Sequence, residues 1–404
     1  MQILDDITVL DFSQLVAGPS ASMLLGDLGA NVIKVESSGG DRVRTAGMGR
    51  RNGESYTFLA YNRNKRSLAI DLKHPDGRAV IETLYRDSDV VIDGFRPGVM
   101  DRLGLGYIVA KKLNPRIIYA ALSGFGPEGP DSGRPGVDIV VQAESGIMAV
   151  TGERDGAPTM VGFTVVDAAT GLALSQAILA ALIGRAKTGR GTRIDVTLLG
   201  VALFIQNAGI TEYLATGRLP FRCGSDAPLG APAGLFEASD EPMIISAYFQ
   251  DQWATLCRLL DIEVLLDDPR FADNCSRIMN RAELNELLIP IFRSKTRQEW
   301  AELVAPTNIM FGAVRSYDDV LASEQVVLNR NISWIDKDSE YAFRSVRAPA
   351  KFSEYSTIPR CAPPTIGADT RAILRDAGFH DAHIDQLLAR KVVFASPKVP
   401  SGGS

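Results

Sequence analysis

The side chains best placed to do chemistry in this chain are acids. Asp11 closes the apolar run of "VLDFSQLVAGP", Asp71 and Asp93 lie in or just after similar runs, and Asp138 follows "RPGV". Asp167 sits in "MVGFTVVDAATGLALSQAILAALIGRAKTGRG". Each can be read as a helix cap or a turn acid, but Asp167 has distinctive neighbours. Ala168, Ala169, Thr170 and Gly171 leave room for a ligand to approach, and a carboxylate buried away from a cation is costly. Capping a helix that starts near Ala168 is compatible with that role. The three histidines, His74, His380 and His383, stand at a helix start or on terminal helices and read as capping or surface residues. This scarcity argues against a Ser-His-Asp or Cys-His enzyme and for a carboxylate as nucleophile or base.

Other chemistries find less support. Cys223, Cys257, Cys275 and Cys361 lack metal-ligand spacing, so neither a zinc site nor a disulfide framework is expected, and a reduced, cytoplasmic compartment fits. There is no P-loop. "GLGYIVAKKLN" lacks the strand-to-helix fingerprint of a dinucleotide site. Arg42, Arg44, Arg50, Arg51, Arg63, Lys65 and Arg66 form a basic cluster. It is either a solvated face or a clamp for phosphate or carboxylate.

The elements that must position these residues show a clear alternation. "ITVLDFS", "ANVIKVE", "RSLAIDL", "DVVIDGF" and "RIIYAALSGFG" read as strands. "GPSASMLLGDLG" and "HPDGRAVIETLYRDS" read as helices between them, the second with Pro75 near its start. Such βαβ units predict an α/β fold with a mainly parallel sheet and a site at the carboxyl ends of the strands. "VTLLGVALFIQNAGITEYLATG" reads as one long helix, and the Gly/Pro/Ala-rich "RLPFRCGSDAPLGAPAGLFEASD" as a linker and substrate-proximal loop. A smaller unit follows. The chain closes with short strands, two helices in "IGADTRAILRDAGFHDAHIDQLLARKVV" and a disordered tail, "SPKVPSGGS".

With 404 residues, 46% hydrophobic and 23% charged, the composition is that of a globular protein of two or three domains. A net charge of −5 with both signs interspersed argues against a nucleic-acid partner. The N-terminus lacks the pattern of a signal peptide. The longest apolar stretch, Leu172 to Ile183, is too short to span a bilayer, so no membrane partner is expected.

Five blocks, "VLDFSQLVAGPSASMLLGDLGANVIKVE", "NRNKRSLAIDLK", "DVVIDGFRPGVMDRLGLGY", "NPRIIYAALSGFG" and "LAALIGRAKTGRG", resemble in order and interval the signature blocks of the family III CoA-transferases. That group includes formyl-CoA transferase, carnitine CoA-transferase and the α-methylacyl-CoA racemases. The resemblance covers nearly all of the first 200 residues and is looser beyond. It implies a Rossmann-like large domain from 1–225 and 316–404, a smaller α+β domain from 226–315, and an interlaced homodimer. It makes Asp167 the catalytic aspartate. It assigns coenzyme A contacts to Gln14, Val16 and Ala17 after the first strand, to Leu72 and Lys73, and to Phe95, Arg96 and Arg102. Ser37 and Ser38 stand where the family often has a basic residue, which leaves Arg42 as its substitute. The resemblance implies no metal and no prosthetic group. Coenzyme A enters as part of an acyl-CoA donor, with a free carboxylic acid as acceptor, and the "GSDAPLGAPAG" loop is expected to act as a lid.

Two activities share this scaffold. The racemases pair an acid with a histidine just before the aspartate of a "GHD" segment. The matching segment here is "PGVDIVVQ", with Val137 in the histidine's place. Racemisation needs acid/base groups on both faces of the α-carbon, and a second racemase residue, a glutamate, matches Gln250. The transferase reading is therefore preferred to a racemase or a catalytically silent CoA-binding subunit. Arg44, Arg50, Arg51 and Arg63 suggest a dicarboxylyl substrate such as succinyl-CoA.

Overall fold

The computed structural model describes residues 2–51, 53–339 and 342–396. Of the tail expected to be disordered, all but Ser396 lies outside them. The chain divides into two compact units, one of residues 1–147, 161–216 and 325–404, the other of 148–160 and 217–324. The 226–315 stretch lies inside the second unit, which reaches further at both ends and takes in 148–160.

The first unit is built on a seven-stranded sheet. Its spatial order is Val393–Phe394, Lys65–Ile70, Asn31–Glu36, Thr8–Asp11, Val90–Asp93, Ile118–Ser123, Arg193–Thr197. All neighbours are parallel except Val393–Phe394, which runs antiparallel to Lys65–Ile70. Numbered along the chain, the six parallel strands stand in the doubly wound order 3-2-1-4-5-6, which reverses beside Thr8–Asp11. The inner strands are largely apolar because both faces are covered, although Lys65–Ile70 opens on Lys-Arg-Ser and the edge strand Arg193–Thr197 carries Arg193 and Asp195. Leu10, Ile33, Leu68 and Val91 face a layer with Val80, Ile81, Leu84, Ile373 and Ile384. Val9, Val32, Val90 and Ile118 face Ala21, Leu25, Val141, Leu174 and Ile178.

Local signals set the helix ends. Helix Pro75–Asp87 has Pro75 in its first turn, and His74 Nδ1 accepts from the Asp76 N–H at 3.1 Å, so that histidine is a cap, as its context suggests. Helix Val165–Thr188 ends at Gly189, whose φ of 70° suits glycine. This helix is longer than its Leu172–Ile183 stretch implies. By length and composition it could cross a membrane, contrary to the sequence expectation. Here Val166, Thr170, Leu174 and Ile178 bury one of its faces in the unit's core. The continuous helix expected from Val196 to Gly217 is instead the end of strand Arg193–Thr197 followed by two helices, Leu198–Ile205 and Asn207–Thr216, bent by 73°. At the break the Gln206 amide donates to the Ala202 carbonyl at 2.8 Å and the Ser145 carbonyl at 3.0 Å. A polar side chain anchored to another segment holds this bend.

The second unit is α+β. Its antiparallel sheet runs Met310–Ala313, Pro242–Ser246, Ala233–Glu237. Trp253, Phe292, Trp300 and Phe236 fill its core. Arg277, fully buried, donates to the carbonyls of Ala231, Tyr248 and Phe271 at 2.7, 2.8 and 3.1 Å. One guanidinium thereby satisfies loop carbonyls that burial would otherwise leave unpaired.

Candidate active site

The carboxyl ends of four adjacent strands carry the residues singled out for coenzyme A. Gln14, Val16 and Ala17 follow Thr8–Asp11, Arg42 follows Asn31–Glu36, Leu72 and Lys73 follow Lys65–Ile70, and Phe95, Arg96 and Arg102 follow Val90–Asp93. Arg42, Lys73, Arg96 and Arg102 are exposed, whereas Val16 and Ala17 are buried. The first loop is held from beneath. Leu15 has a φ of 68°, and its N–H donates to Asp41 Oδ1 at 3.2 Å. Asp41 Oδ2 binds Lys34 Nζ at 2.8 Å, and Lys34 also donates to the Ser13 carbonyl at 3.1 Å. Lys34 and Asp41 thus clamp both ends of the segment presenting Gln14. Turn acids shape the other loops. Asp71 Oδ1 accepts from the Lys73 N–H at 2.9 Å, and Asp93 Oδ1 accepts from the Phe95 N–H at 3.0 Å.

Asp167 lies in the first turn of Val165–Thr188. The helix starts at Val165 rather than near Ala168, so Asp167 is not its cap. Asp138 does that work from another helix, Asp138–Glu144. Its Oδ1 accepts from the N–H groups of Val166 and Asp167 at 2.8 and 3.0 Å. Its Oδ2 accepts from Gln142 Nε2 at 2.5 Å, and Gln142 Oε1 accepts from the Val161 N–H at 2.9 Å. One turn along from Asp167, Gly171 is where the helix meets helix Ala17–Asp27. A Cβ there would lie 1.8 Å from Ser20 Oγ and 3.0 Å from the Ala17 carbonyl oxygen. Residues four apart share a helix face. The absent side chain therefore brings the Asp167 face against the helix that the Gln14–Ala17 loop opens.

Half-buried Asp167 accepts no hydrogen bond from the described residues. Burial, and then the negative charge of Asp138, push its carboxyl up to about 7. An acid in a first helical turn ordinarily gains from the amides there. Here the two nearest are occupied by Asp138.

The other sequence candidates sort by their partners. Asp11 is fully buried. Burial alone would raise it, but the Lys65 and Lys34 ammoniums and the Ser13 and Ser22 hydroxyls hold it at about 2. Lys65 Nζ lies 3.1 Å from Asp11 Oδ2 and Ser22 Oγ 2.6 Å from it. Asp93 is raised to about 6 by burial, although the Phe95 N–H and the Tyr119 hydroxyl at 2.9 Å oppose this. It lines a cavity of about 220 Å³ with Phe95, Tyr107, Tyr119 and Arg193.

The arginine clamp is corrected. Arg44 is buried, paired with Glu36 at 2.7 Å and Glu54 at 2.6 Å, and stacked 3.7 Å from the Phe58 ring centroid. Arg63 is buried against Asp27 at 2.6 Å. Neither guanidinium is available to a substrate. Arg50 and Arg51 are exposed, but the Arg50 guanidinium donates to the Arg44 and Thr45 carbonyls. Arg66 pairs with Asp376 at 2.7 Å. Gln250 binds Arg277 Nη1 at 3.0 Å and the Ala272 carbonyl at 2.9 Å. The Lys34–Asp41 clamp and Gln142 were missed, since neither lies in a spacing pattern that chemistry alone would mark.

The profile of CoA-transferase family III matches residues 4–370. An acyl-CoA transferase of Fusarium pseudograminearum is 40% identical over 388 residues, 93% of this chain and 85% of that protein. The succinyl-CoA:glutarate CoA-transferase of Mus musculus is 35% identical over 396 residues, 97% of this chain and 91% of its own. A CaiB/BaiF family protein from Brucella suis superposes with a TM-score of 0.82 at 34% identity, covering 93% of this chain and 100% of that one. The chain belongs to CoA-transferase family III.

Proposed function

We propose that this enzyme moves coenzyme A from an acyl-CoA donor to a free carboxylic acid through covalent intermediates on Asp167. The reading is carried by an acid that accepts no hydrogen bond among the described residues, pushed up to about 7 by burial and by Asp138, at the carboxyl edge of a family III sheet. In the first step an Asp167 oxygen attacks the thioester carbonyl. The C–S bond breaks, CoA leaves as thiolate, and a mixed anhydride forms. The thiolate then attacks the aspartyl carbonyl, giving an aspartyl-CoA thioester and releasing the donor's acid as carboxylate. The acceptor carboxylate attacks that thioester, expelling the thiolate and forming a second anhydride. Attack of the thiolate on the acceptor's acyl carbon releases the new acyl-CoA and restores Asp167. A carboxylate suits this sequence because its acyl derivatives stay activated, unlike a serine ester. Exclusion of water keeps the anhydrides from hydrolysis.

Gln14, Val16, Ala17, Arg42, Leu72, Lys73, Phe95, Arg96 and Arg102 form the coenzyme A site in this reading. A dicarboxylic acyl group is the proposed cargo. Its support is the relative named a succinyl-CoA:glutarate CoA-transferase and the exposed Arg51, now without Arg44 and Arg63 and with Arg50 donating to backbone carbonyls. The assembly is an interlaced homodimer. Phe204 and Leu214, each 77% exposed, and Ile183, 61% exposed, are apolar surface that a second copy would cover.

The test is an exchange assay. Succinyl-CoA is supplied with a panel of mono- and dicarboxylic acids in deuterated water, and products are read by mass spectrometry. The reading expects new dicarboxylyl-CoA thioesters without deuterium at the α-carbon. Deuterium wash-in without CoA exchange would move the assignment to a racemase.

A further inference from the structure

Asp138 is a buried acid beside half-buried Asp167, and the proposed chemistry leaves it unused. Its exposure is 5%, and all three of its acceptor contacts are ordered: the amides of Val166 and Asp167, and Gln142 Nε2. Without it, the first-turn amides would be the nearest donors for the Asp167 side chain, and such donors stabilise a resting carboxylate. Asp138 occupies them and adds a like charge. Acylation makes the Asp167 group neutral and ends that repulsion. The penalty therefore falls on the resting enzyme and not on its covalent states.

We infer that Asp138 is a positioning residue whose charge holds the Asp167 carboxylate away from backbone donors and biases the enzyme toward its covalent aspartyl intermediates. The inference rests on the reading of Asp167 as nucleophile. Neighbouring charges do not supply the effect. Among the described residues, Asp138 is the charge acting on Asp167. On the elements packed against the Val165–Thr188 helix, Asp27 is paired with Arg63, Glu144 with Arg134 and Asp195 with Arg193. On the helix itself Arg185 is paired with Asp89, and Lys187 lies in the last turn.

Asp138→Asn removes the charge and keeps an acceptor for the two amides, but it sets an NH2 group against Gln142 Nε2. The double variant Asp138→Asn with Gln142→Glu restores that hydrogen bond and moves the negative charge one side chain further from Asp167. In both, the acidic limb of kcat/KM moves down by about one pH unit. The fraction of enzyme trapped by hydroxylamine at saturating succinyl-CoA falls several-fold, and coenzyme A affinity stays within twofold. A purely structural cap moves neither the limb nor the trapped fraction, and unchanged values in a folded variant overturn the inference. Asp167→Asn run in parallel separates the two claims. If it retains exchange, the nucleophile reading fails. If it is inactive while the Asp138 variants match the parent, only the present inference fails.

Discussion

Two carboxylates at the carboxyl edge of the same sheet have opposite fates. Asp11 ends the central strand with Lys65 at 3.1 Å, Lys34 nearby and hydroxyls from Ser13 and Ser22, and is held at about 2. Asp167, in the first turn of the long helix, has no donor among the described residues and Asp138 as its charged neighbour, and is raised to about 7. Asp11 is fully buried and Asp167 half-buried, and burial pushes both upward, yet it is the more deeply buried acid that ends up low. The difference lies in the partners. An acid matched by cations and hydroxyls is fixed as structure, whereas one denied them keeps its lone pairs free, as the proposed nucleophile requires.

The comparison breaks most visibly on substitution by the amide. Asp167→Asn should lower CoA exchange by about 10³-fold or more while coenzyme A binding, followed by calorimetry, changes little. Asp11→Asn should do the reverse. It leaves Lys65 buried without its counter-charge and lowers unfolding free energy by about 3–5 kcal/mol in denaturant titrations, with the folded fraction still turning over. Next in size is the contact that sets the Asp167 helix. Gly171→Leu meets Ser20 and the Ala17 carbonyl and should cost about 1–3 kcal/mol together with a fall in kcat.

The smallest effects are in pH dependence, and their signs differ. Asp11, lowered in the fold, contributes stability that is full above its unfolded value of 3.8 and is lost as pH falls through about 2. Asp167, raised in the fold, binds its proton more tightly folded than unfolded. Its ionisation therefore erodes stability as pH rises from about 4 to about 7. Asp167→Asn should be more stable than the parent at pH 8 by about 1–2 kcal/mol, after allowing for solvent screening of a half-buried group. That advantage should vanish by pH 4 in thermal melts.

Five of the sheet's seven strands were legible because they hold short apolar runs between turn residues, a pattern that a sheet covered on both faces demands, whereas the polar edge strand Arg193–Thr197 and the two-residue Val393–Phe394 carry no such run. Asp167 was singled out by its small neighbours and by the five family blocks. What the sequence hid was non-local. The helix begins at Val165 because a carboxylate from position 138 caps it, and no local pattern announces that. Gln206 bends an otherwise helical stretch through a carbonyl at position 145. Arg44 and Arg63 look like ligands for a substrate carboxylate in a list of basic residues. Only the fold shows Glu36, Glu54 and Asp27 already holding them.

The central claim is that the unpartnered acid carries the cargo. Enzyme mixed with acyl-CoA, quenched with hydroxylamine and digested should yield a hydroxamate on the peptide containing Asp167, and on that residue within it. Turnover that continues with the label on another side chain, or with no label at all, contradicts the account.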